Sequence, residues 1–519
     1  MDHRTSSDVN NYETETDEDN DNNNITCDEN VNIGSKNIKN LHDNFPTLIK
    51  SRASSNSRSQ KYPSANLGNQ IEVYVPSRRL SESDTGGTVT IETEQTPLIH
   101  RTSELEDASN YKSLMDLEKS TVKQTIFNAV NILMGIGILA LPFAFKHTGW
   151  IIGISVFLFC SMSTNYTAKI LKNCLDVDRT CLSYVDLAYL AYGNKGKYFI
   201  GTIFLMDLYN ATVALMILAG DSLKTLFPQS DLTQLKFILF LIITPTTWLP
   251  IRYLSYTSFF GIIATAALAL VLLFDGFTKL DSPGSLIQPM DTYLWPQKWI
   301  AVPLAFGLIN AGFTGHAIFP SLYRDMEKPN EYRKMVNSSY SITSTFYITV
   351  AVSGYLMFGS QTMQEITQNL MVTPGYSLFL NSIVVWLTVI NPLSKYPLTL
   401  TPINLSVEVT FLNIPYLRIL FRSQIVKTVF MIISRTFISF LVVSTAILFP
   451  KFDRAVSLLG SLFSFLISLI FPLLCNLKIF GSTLPKNEIR LNLFILVISV
   501  IMGVLGTIWT FVPREWLDD

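Results

Sequence analysis

Asn131-Ile-Leu-Met-Gly135-Ile-Gly137-Ile-Leu-Ala-Leu-Pro142 interrupts an apolar run that extends over residues 124–145. Glycine weakens a helix through backbone freedom and proline through its missing N–H, so this run cannot form one uniform helix. A second run, 299–320, carries Asn310-Ala-Gly-Phe-Thr-Gly315-His316-Ala-Ile-Phe-Pro320, again with a glycine five residues before a terminal proline. In lipid, unpaired backbone is tolerated only where it lines a protein cavity. Two interrupted segments therefore point to a buried site built from opened backbone. The alternative for each glycine is close packing between helices through small residues.

The breaks acquire meaning from their spacing. A bilayer core about 30 Å thick requires about 20 apolar residues at 1.5 Å rise. Eleven stretches meet this: 124–145, 149–171, 197–219, 235–251, 256–277, 299–320, 338–358, 376–393, 426–449, 455–477 and 490–512. The broken segments are the first and sixth. An offset of five makes the second copy enter the membrane upside down, as in the inverted repeats of secondary transporters. The fold expected is an all-α integral membrane protein of about 11 transmembrane helices, an inverted five-plus-five repeat with broken helices 1 and 6. The eighth run ends in Asn391-Pro-Leu-Ser-Lys-Tyr-Pro397 and an amphipathic stretch to Val409, which either extends the helix or lies at the interface.

The chain divides at about residue 120. Residues 1–100 hold 16 Asp/Glu against 9 Lys/Arg, and such an acidic, Ser- and Asn-rich segment buries too little apolar surface to fold. The domains expected are a disordered acidic tail (1–120), a transmembrane domain (121–512) and a short C-terminus (513–519). No leader-like apolar segment follows Met1-Asp-His-Arg, so the first span directs insertion. With the tail in the cytosol, cytosolic loops carry 17 Lys/Arg, Lys395 among them, and the other side 8, Lys236 among them; this asymmetry favours a cytosolic N-terminus and a C-terminus on the lumenal side. Cysteines 27, 160, 174, 181 and 475 lack metal-ligand spacing, and a disulfide framework is not expected.

Opened helix ends offer N–H groups to a carboxylate and carbonyls to an ammonium, the two groups every amino acid carries. The candidate substrate-binding residues are Asn131, Gly135, Gly137, Ile138, Thr314, Gly315 and His316. His316 suits either proton loading or, in neutral form, capping of the opened backbone. Asp207 and Arg435 fall mid-span, where ionisable groups mark a function or a pair. Asp207 is thus a proton-coupling carboxylate or the fixed partner of Arg435. Asp221, Asp275 and Glu408 lie near span ends and read as interfacial.

Gly135-Ile-Gly-Ile-Leu-Ala-Leu-Pro-Phe-Ala144, Gly220-Asp-Ser-Leu-Lys-Thr-Leu-Phe-Pro228 and Gly315-His-Ala-Ile-Phe-Pro-Ser-Leu-Tyr323 resemble the amino acid/auxin permease family. Within it they are most similar to fungal vacuolar amino-acid transporters related to the vesicular inhibitory amino-acid transporter. The resemblance covers about residues 120–512 and implies an inverted fold with an eleventh helix, exchanging protons for amino acids across an acidic organelle membrane. Asn131 matches an asparagine of the cation site in the sodium-coupled branch, which keeps sodium coupling open.

The function expected is proton-coupled transport of amino acids, neutral ones foremost, across the vacuolar membrane, with import by proton antiport favoured. The substrate would sit between helices 1 and 6, and their bundle would move against a scaffold of spans 3, 4, 8 and 9. Its partners are the amino acid, protons and the lipid bilayer, with no nucleic acid, cofactor or metal. Proton-coupled export is one alternative. An amino-acid-sensing receptor is another; deleting residues 1–100 separates it from a carrier, which keeps its flux. No Gly-x-Ser-x-Gly, His-Glu-x-x-His or phosphate-loop motif points to an enzyme.

Two features of the tail bear on address and control. Arg78-Arg79-Leu80-Ser81 fits a basic-directed kinase site at Ser81. Glu94-Gln-Thr-Pro-Leu98-Ile99 fits an acidic dileucine sorting signal, read by clathrin-adaptor complexes. Replacing Leu98 and Ile99 together by Ala is expected to move the protein from the vacuole to the cell surface, checked by fluorescence microscopy; unchanged vacuolar staining would remove this reading.

Overall fold

A computed structural model describes residues 119–178, 181–249, 259–412, 414 and 423–513. The tail with Ser81, Glu94, Leu98 and Ile99, and the C-terminal residues 514–519, lie outside them.

The described residues form helices throughout, joined by loops and one isolated bridge. Span 1 begins with α1 (Val122–Leu133), whose N-terminus is fixed by a capping box between Thr121 and Gln124. It stops at Met134, passes through a 3₁₀ turn over Ile136–Ala140, and resumes in α2 (Leu141–Leu175), with Pro142 in its first turn. Pro142 has no N–H to lose at that position, which is why the helix restarts there. Gly149, at φ 67°, separates the last turns of span 1 from span 2.

The third span is α3 (Tyr184–Leu226), and the fourth is α4 (Leu232–Ile243) with a 3₁₀ turn over Thr244–Trp248. Span 5 is α5 (Phe259–Thr278). Span 6 repeats the interruption: α6 (Val302–Asn310) ends in a 3₁₀ turn at Ala311–Phe313, and α7 (Phe319–Asp325) resumes with Pro320 in its first turn. Span 7 is α8 (Tyr332–Phe358); α9 (Ile366–Val372) is a short, largely buried helix. Span 8, α10 (Leu378–Leu412), runs through Pro392, Pro397 and Pro402 as one helix, so the amphipathic stretch continues the span. Span 9 is α11 (Gln424–Leu448). Span 10 consists of α12 (Phe452–Leu458), a π-helical stretch over Leu459–Ile470 and α13 (Phe471–Phe480). Span 11 is α14 (Lys486–Thr510). Eight of these elements are long and apolar enough to cross a bilayer; Leu232–Trp248 and Trp299–Phe313 are shorter apolar helices.

Packing sorts the spans. Helices α3, α4, α10 and α11 pack on one another, while α1, α2, α6 and α8 form a second group. On the face where α1 begins, the Ser120 hydroxyl donates to Asp325 (2.5 Å), and Glu327 N donates to Ser120 O (3.0 Å). Nearby, Arg324 donates to the carbonyls of Leu175 (2.9 Å), Asp178 (3.1 Å) and Cys181 (3.1 Å). This face is latched. The opposite face opens into a cavity of about 530 Å³, lined by Lys146, His147 and Lys298 among others.

Arg435 does not pair with Asp207. Its Nε donates to Glu408 at 2.7 Å and its Nη1 to the Thr247 carbonyl at 2.7 Å, joining α11 to α10 and to the end of span 4. Glu408 is therefore an inward-facing partner and not an interfacial residue. Asp207 Oδ1 is buried and receives no hydrogen bond among the described residues. The pair is partly buried, and removing one member of it leaves an uncompensated charge at membrane depth, at a cost approaching the ~3–5 kcal/mol of a fully buried pair. Arg435→Gln is therefore expected to lower membrane abundance and unfolding temperature, and adding Glu408→Gln to recover much of both. The check is thermal unfolding in detergent. Recovery on adding Asp207→Asn instead would contradict this pairing.

Candidate functional site

The break in span 1 exposes two carbonyls, and two other spans supply their donors. The Tyr347 hydroxyl, on α8, donates to Leu133 O at 2.5 Å and lies 3.3 Å from Gly135 N. The Lys395 ammonium, on α10, donates to Met134 O at 3.1 Å. Past the break, Gly135 is the N-cap of the following turn. First-turn N–H groups of a helix have no intrahelical partner, so those of Ile136, Gly137 and Ile138 are the donors available to an anion.

A narrow cleft lies beside this turn. It is lined by Gly135, Ile136, Ile138 and Leu139 of the break, Ala264, Thr265 and Leu268 of α5, and Thr388 and Asn391 of α10. It offers about 20 Å³ to solvent, room for one water, so an amino acid requires it to widen. The Asn391 amide oxygen is buried without a donor among the described residues, as is that of Asn131.

The sequence-derived candidates separate into two sets. Gly135 and Ile138 line the cleft. Gly137 does not: a Cβ built there would stand 2.9 Å from Gly312 N and 3.1 Å from Gly312 Cα, so this glycine lets the two broken segments touch. Gly315 packs against Ile132 and Leu133, and the Thr314 hydroxyl turns back to the Ala311 carbonyl at 3.0 Å. His316 is fully buried, with Nε2 3.0 Å from the Thr164 carbonyl and 3.0 Å from Thr167 Oγ1. A nitrogen facing a carbonyl must carry the proton, so His316 bridges α2 to the second break as a donor. Thr167 in turn donates to the Ser468 carbonyl in the π-helical stretch at 2.7 Å.

Two ionisable residues inside the fold escaped the sequence. Lys395 counts there as a loop cation, because Pro392 and Pro397 around it suggest the end of a span, yet it sits inside α10 facing the break. Its one legible signal is a lysine within an apolar helix register. Glu365, between α8 and α9, is fully buried, and neither carboxylate oxygen meets a donor among the described residues. Burial and the adjacent Asp221 carboxyl raise its pKa well above the ordinary glutamate value. Lys236 lies near both acids and donates to the Ala446 carbonyl at 3.0 Å. Asp221 thus belongs to an internal cluster with Glu365, Lys236 and Asp453. Asp275, 1% exposed, is likewise inside and not at the interface.

Residues 118–512 match the model of the transmembrane amino acid transporter protein family. The chain is 32% identical over 400 residues to amino acid transporter AVT1E of Arabidopsis thaliana, covering 75% of this chain and 72% of that one. It is 33% identical over 399 residues to amino acid transporter AVT1B of the same plant, covering 75% and 70%. Among solved structures, MhsT in complex with L-phenylalanine aligns with a TM-score of 0.47 at 12% identity, over 75% of this chain and 98% of that one. With helices 1 and 6 broken as in the inverted-repeat fold, the chain belongs to the transmembrane amino acid transporter family, and it is not an enzyme.

Proposed function

We propose that this protein moves amino acids across the vacuolar membrane by exchange for protons, its N-terminus in the cytosol, with import into the vacuole the working direction. The observation that carries the reading is the first break. There the carbonyl side of the gap is already occupied by Tyr347 and Lys395, while Gly135, Ile136 and Ile138 of the following turn, whose first N–H groups lack an intrahelical partner, line a cleft closed by α5 and α10. Such an N-terminus selects a carboxylate. The apolar lining from Ile138, Leu139 and Leu268 suits an uncharged side chain.

Alternating access follows from the two groups of helices. The α1/α2/α6/α8 group carries both breaks, and the α3/α4/α10/α11 group is held by the Arg435–Glu408 pair. In the proposed cycle the latch at Ser120, Asp325 and Arg324 opens as the cavity on the opposite face closes. Removing Lys236 and Lys395 from the loop charges leaves the Lys/Arg asymmetry in place, and this asymmetry supports a cytosolic tail.

The reading is tested by uptake of labelled neutral amino acids into isolated vacuoles or proteoliposomes. Uptake is expected to collapse when a protonophore is added; undiminished accumulation would overturn proton coupling. Two glycine variants then locate the site. A Cβ at Gly135 has only Leu133 O nearby, at 3.8 Å, so Gly135→Leu should fold normally while filling the cleft and cutting uptake about tenfold or more. Gly137→Val should lose abundance and uptake together, because its side chain meets Gly312 backbone. Normal uptake by Gly135→Leu, with abundance unchanged, would place the substrate elsewhere.

A further inference from the structure

We propose that Lys395 is the proton-carrying group of the transport cycle: its ammonium is a tethered cation held at the open C-terminal end of α1, and loss of its proton releases that end. The inference rests on the proton-coupled reading above and adds the atom that carries the proton.

The geometry is local and unusual for a membrane lysine. Helix α1 ends at Leu133 with Met134 as its C-cap. The last carbonyls of a helix carry partial negative charge and attract a cation. In broken-helix carriers, opened carbonyls and half-helix C-termini hold the coupling ion. Here that place is taken by Lys395 Nζ, 3.1 Å from Met134 O. A pocket has been kept for it. Across the gap, a Cβ added to Gly261 of α5 would stand 2.9 Å from Lys395 Cε and 3.0 Å from Nζ, so a side chain there would displace the ammonium. Asn391 Oδ1 flanks the same space, 3.1 Å from that Cβ position, and has no hydrogen-bond donor among the described residues.

No carboxylate balances the ammonium. Among the described residues, none of the elements around it (α1, α3, α5 and α10) brings an acidic group within ion-pair distance, Asp207 of α3 included. The charged groups of these elements pair elsewhere or lie apart: Glu408 holds Arg435, and Asp275 lies fourteen residues, about four turns, along α5 from Gly261. A membrane-buried cation with a single carbonyl partner costs free energy that a fixed structural charge would offset with a counter-ion. Lysine, unlike arginine, can relieve that cost by losing its proton. Asp207, the other mid-span group without a fixed counter-charge, makes no contact with either break among the described hydrogen bonds. Lys395 does, and it joins α10 of one helix group to α1 of the other. Protonated, it fastens the two groups; neutral, it lets them part.

The experiment uses the full chain in proteoliposomes with wild type, Lys395→Gln and Lys395→Arg, measuring accumulation under a pH gradient and exchange of labelled for unlabelled amino acid. A one-unit gradient coupled to one proton sustains about a tenfold accumulation. Wild type is expected to approach this. Both variants should fall to a ratio of about 1, since neither side chain titrates, while reaching the membrane in comparable amount. Exchange through Lys395→Gln should no longer vary with pH. Accumulation near the wild-type ratio in either variant would overturn the inference, as would absence of Lys395→Gln from the membrane while Lys395→Arg reaches it, which would make the ammonium a structural charge. A wild type that accumulates substrate despite a protonophore would overturn the proton-coupled reading itself. Gly261→Val supplies an independent arm: it keeps the lysine but displaces its ammonium, and should also lose accumulation.

Discussion

Backbone that is opened inside a membrane must find partners within the protein, and this requirement organises the structure around the two breaks. Each exposed group of the first break is met by a side chain from a different span: Leu133 O by Tyr347, Met134 O by Lys395. The second break is held through His316 to the Thr164 carbonyl, and from Thr167 onward to Ser468 in the π-helical stretch. A helix with five residues between bonded groups leaves carbonyls turned aside, and this one uses several. Gly460 O accepts from Asn310 Nδ2 at 3.1 Å, Ile467 O accepts from the Tyr184 hydroxyl, and Ser468 O accepts from Thr167. Spans 2, 3 and 6 are thereby anchored to span 10 by hydrogen bonds as well as by dispersion, which in lipid has no hydrophobic effect to assist it.

The breaks were legible in the sequence because glycine and proline act locally. Gly135, Gly137 and Pro142 carry their meaning in their own backbone, and the structure interrupts the helix where they stand. Their individual duties were not legible. Gly135 borders the cleft and Gly137 touches Gly312, and only the approach of span 6 separates the two roles. The charges were harder still. Arg435 and Asp207 both lie mid-span in the sequence, but ion pairs are made in three dimensions, and Glu408 of the preceding span is the one within reach. Lys395 was obscured by its neighbours: prolines at 392 and 397 look like a helix end, although the helix passes through both. A membrane helix tolerates them because adjacent spans and Ser or Thr side chains take up the freed backbone groups.

The buried charges fall into two kinds according to what faces them. Arg435 and Glu408 satisfy each other and the Thr247 carbonyl, all within spans 4, 8 and 9. Asp221, Glu365, Asp453 and Lys236 form a mixed cluster near the start of span 4, where burial and the Asp221 carboxyl push the Glu365 pKa well above the ordinary glutamate value and Arg454 lies 3.7 Å from Asp453. Both arrangements balance charge internally and bind elements that stay together. A compensated pair resists separation because parting it exposes two charges to a medium that solvates neither. Such pairs suit a scaffold.

Lys395 is of the other kind. It has one neutral partner, on a helix of the opposite group, so separating it from Met134 O breaks one charge-assisted hydrogen bond and leaves no stranded counter-ion. If the ammonium first loses its proton, even that cost falls to the level of an ordinary hydrogen bond. The difference between the two states is a change in adhesion between α1 and α10, set by a proton and applied at the end of the segment that receives the substrate. The N–H groups of Ile136 to Ile138, which would receive the substrate carboxylate, lie within a few residues of the Met134 carbonyl. Exchange requires the two occupancies to alternate, so loss of the proton, which frees the α1 end and lets the cleft widen, is the step coupled to substrate entry. One lysine at one carbonyl thus links the two occupancies, without a wire between distant sites, through the few residues of opened backbone that both share.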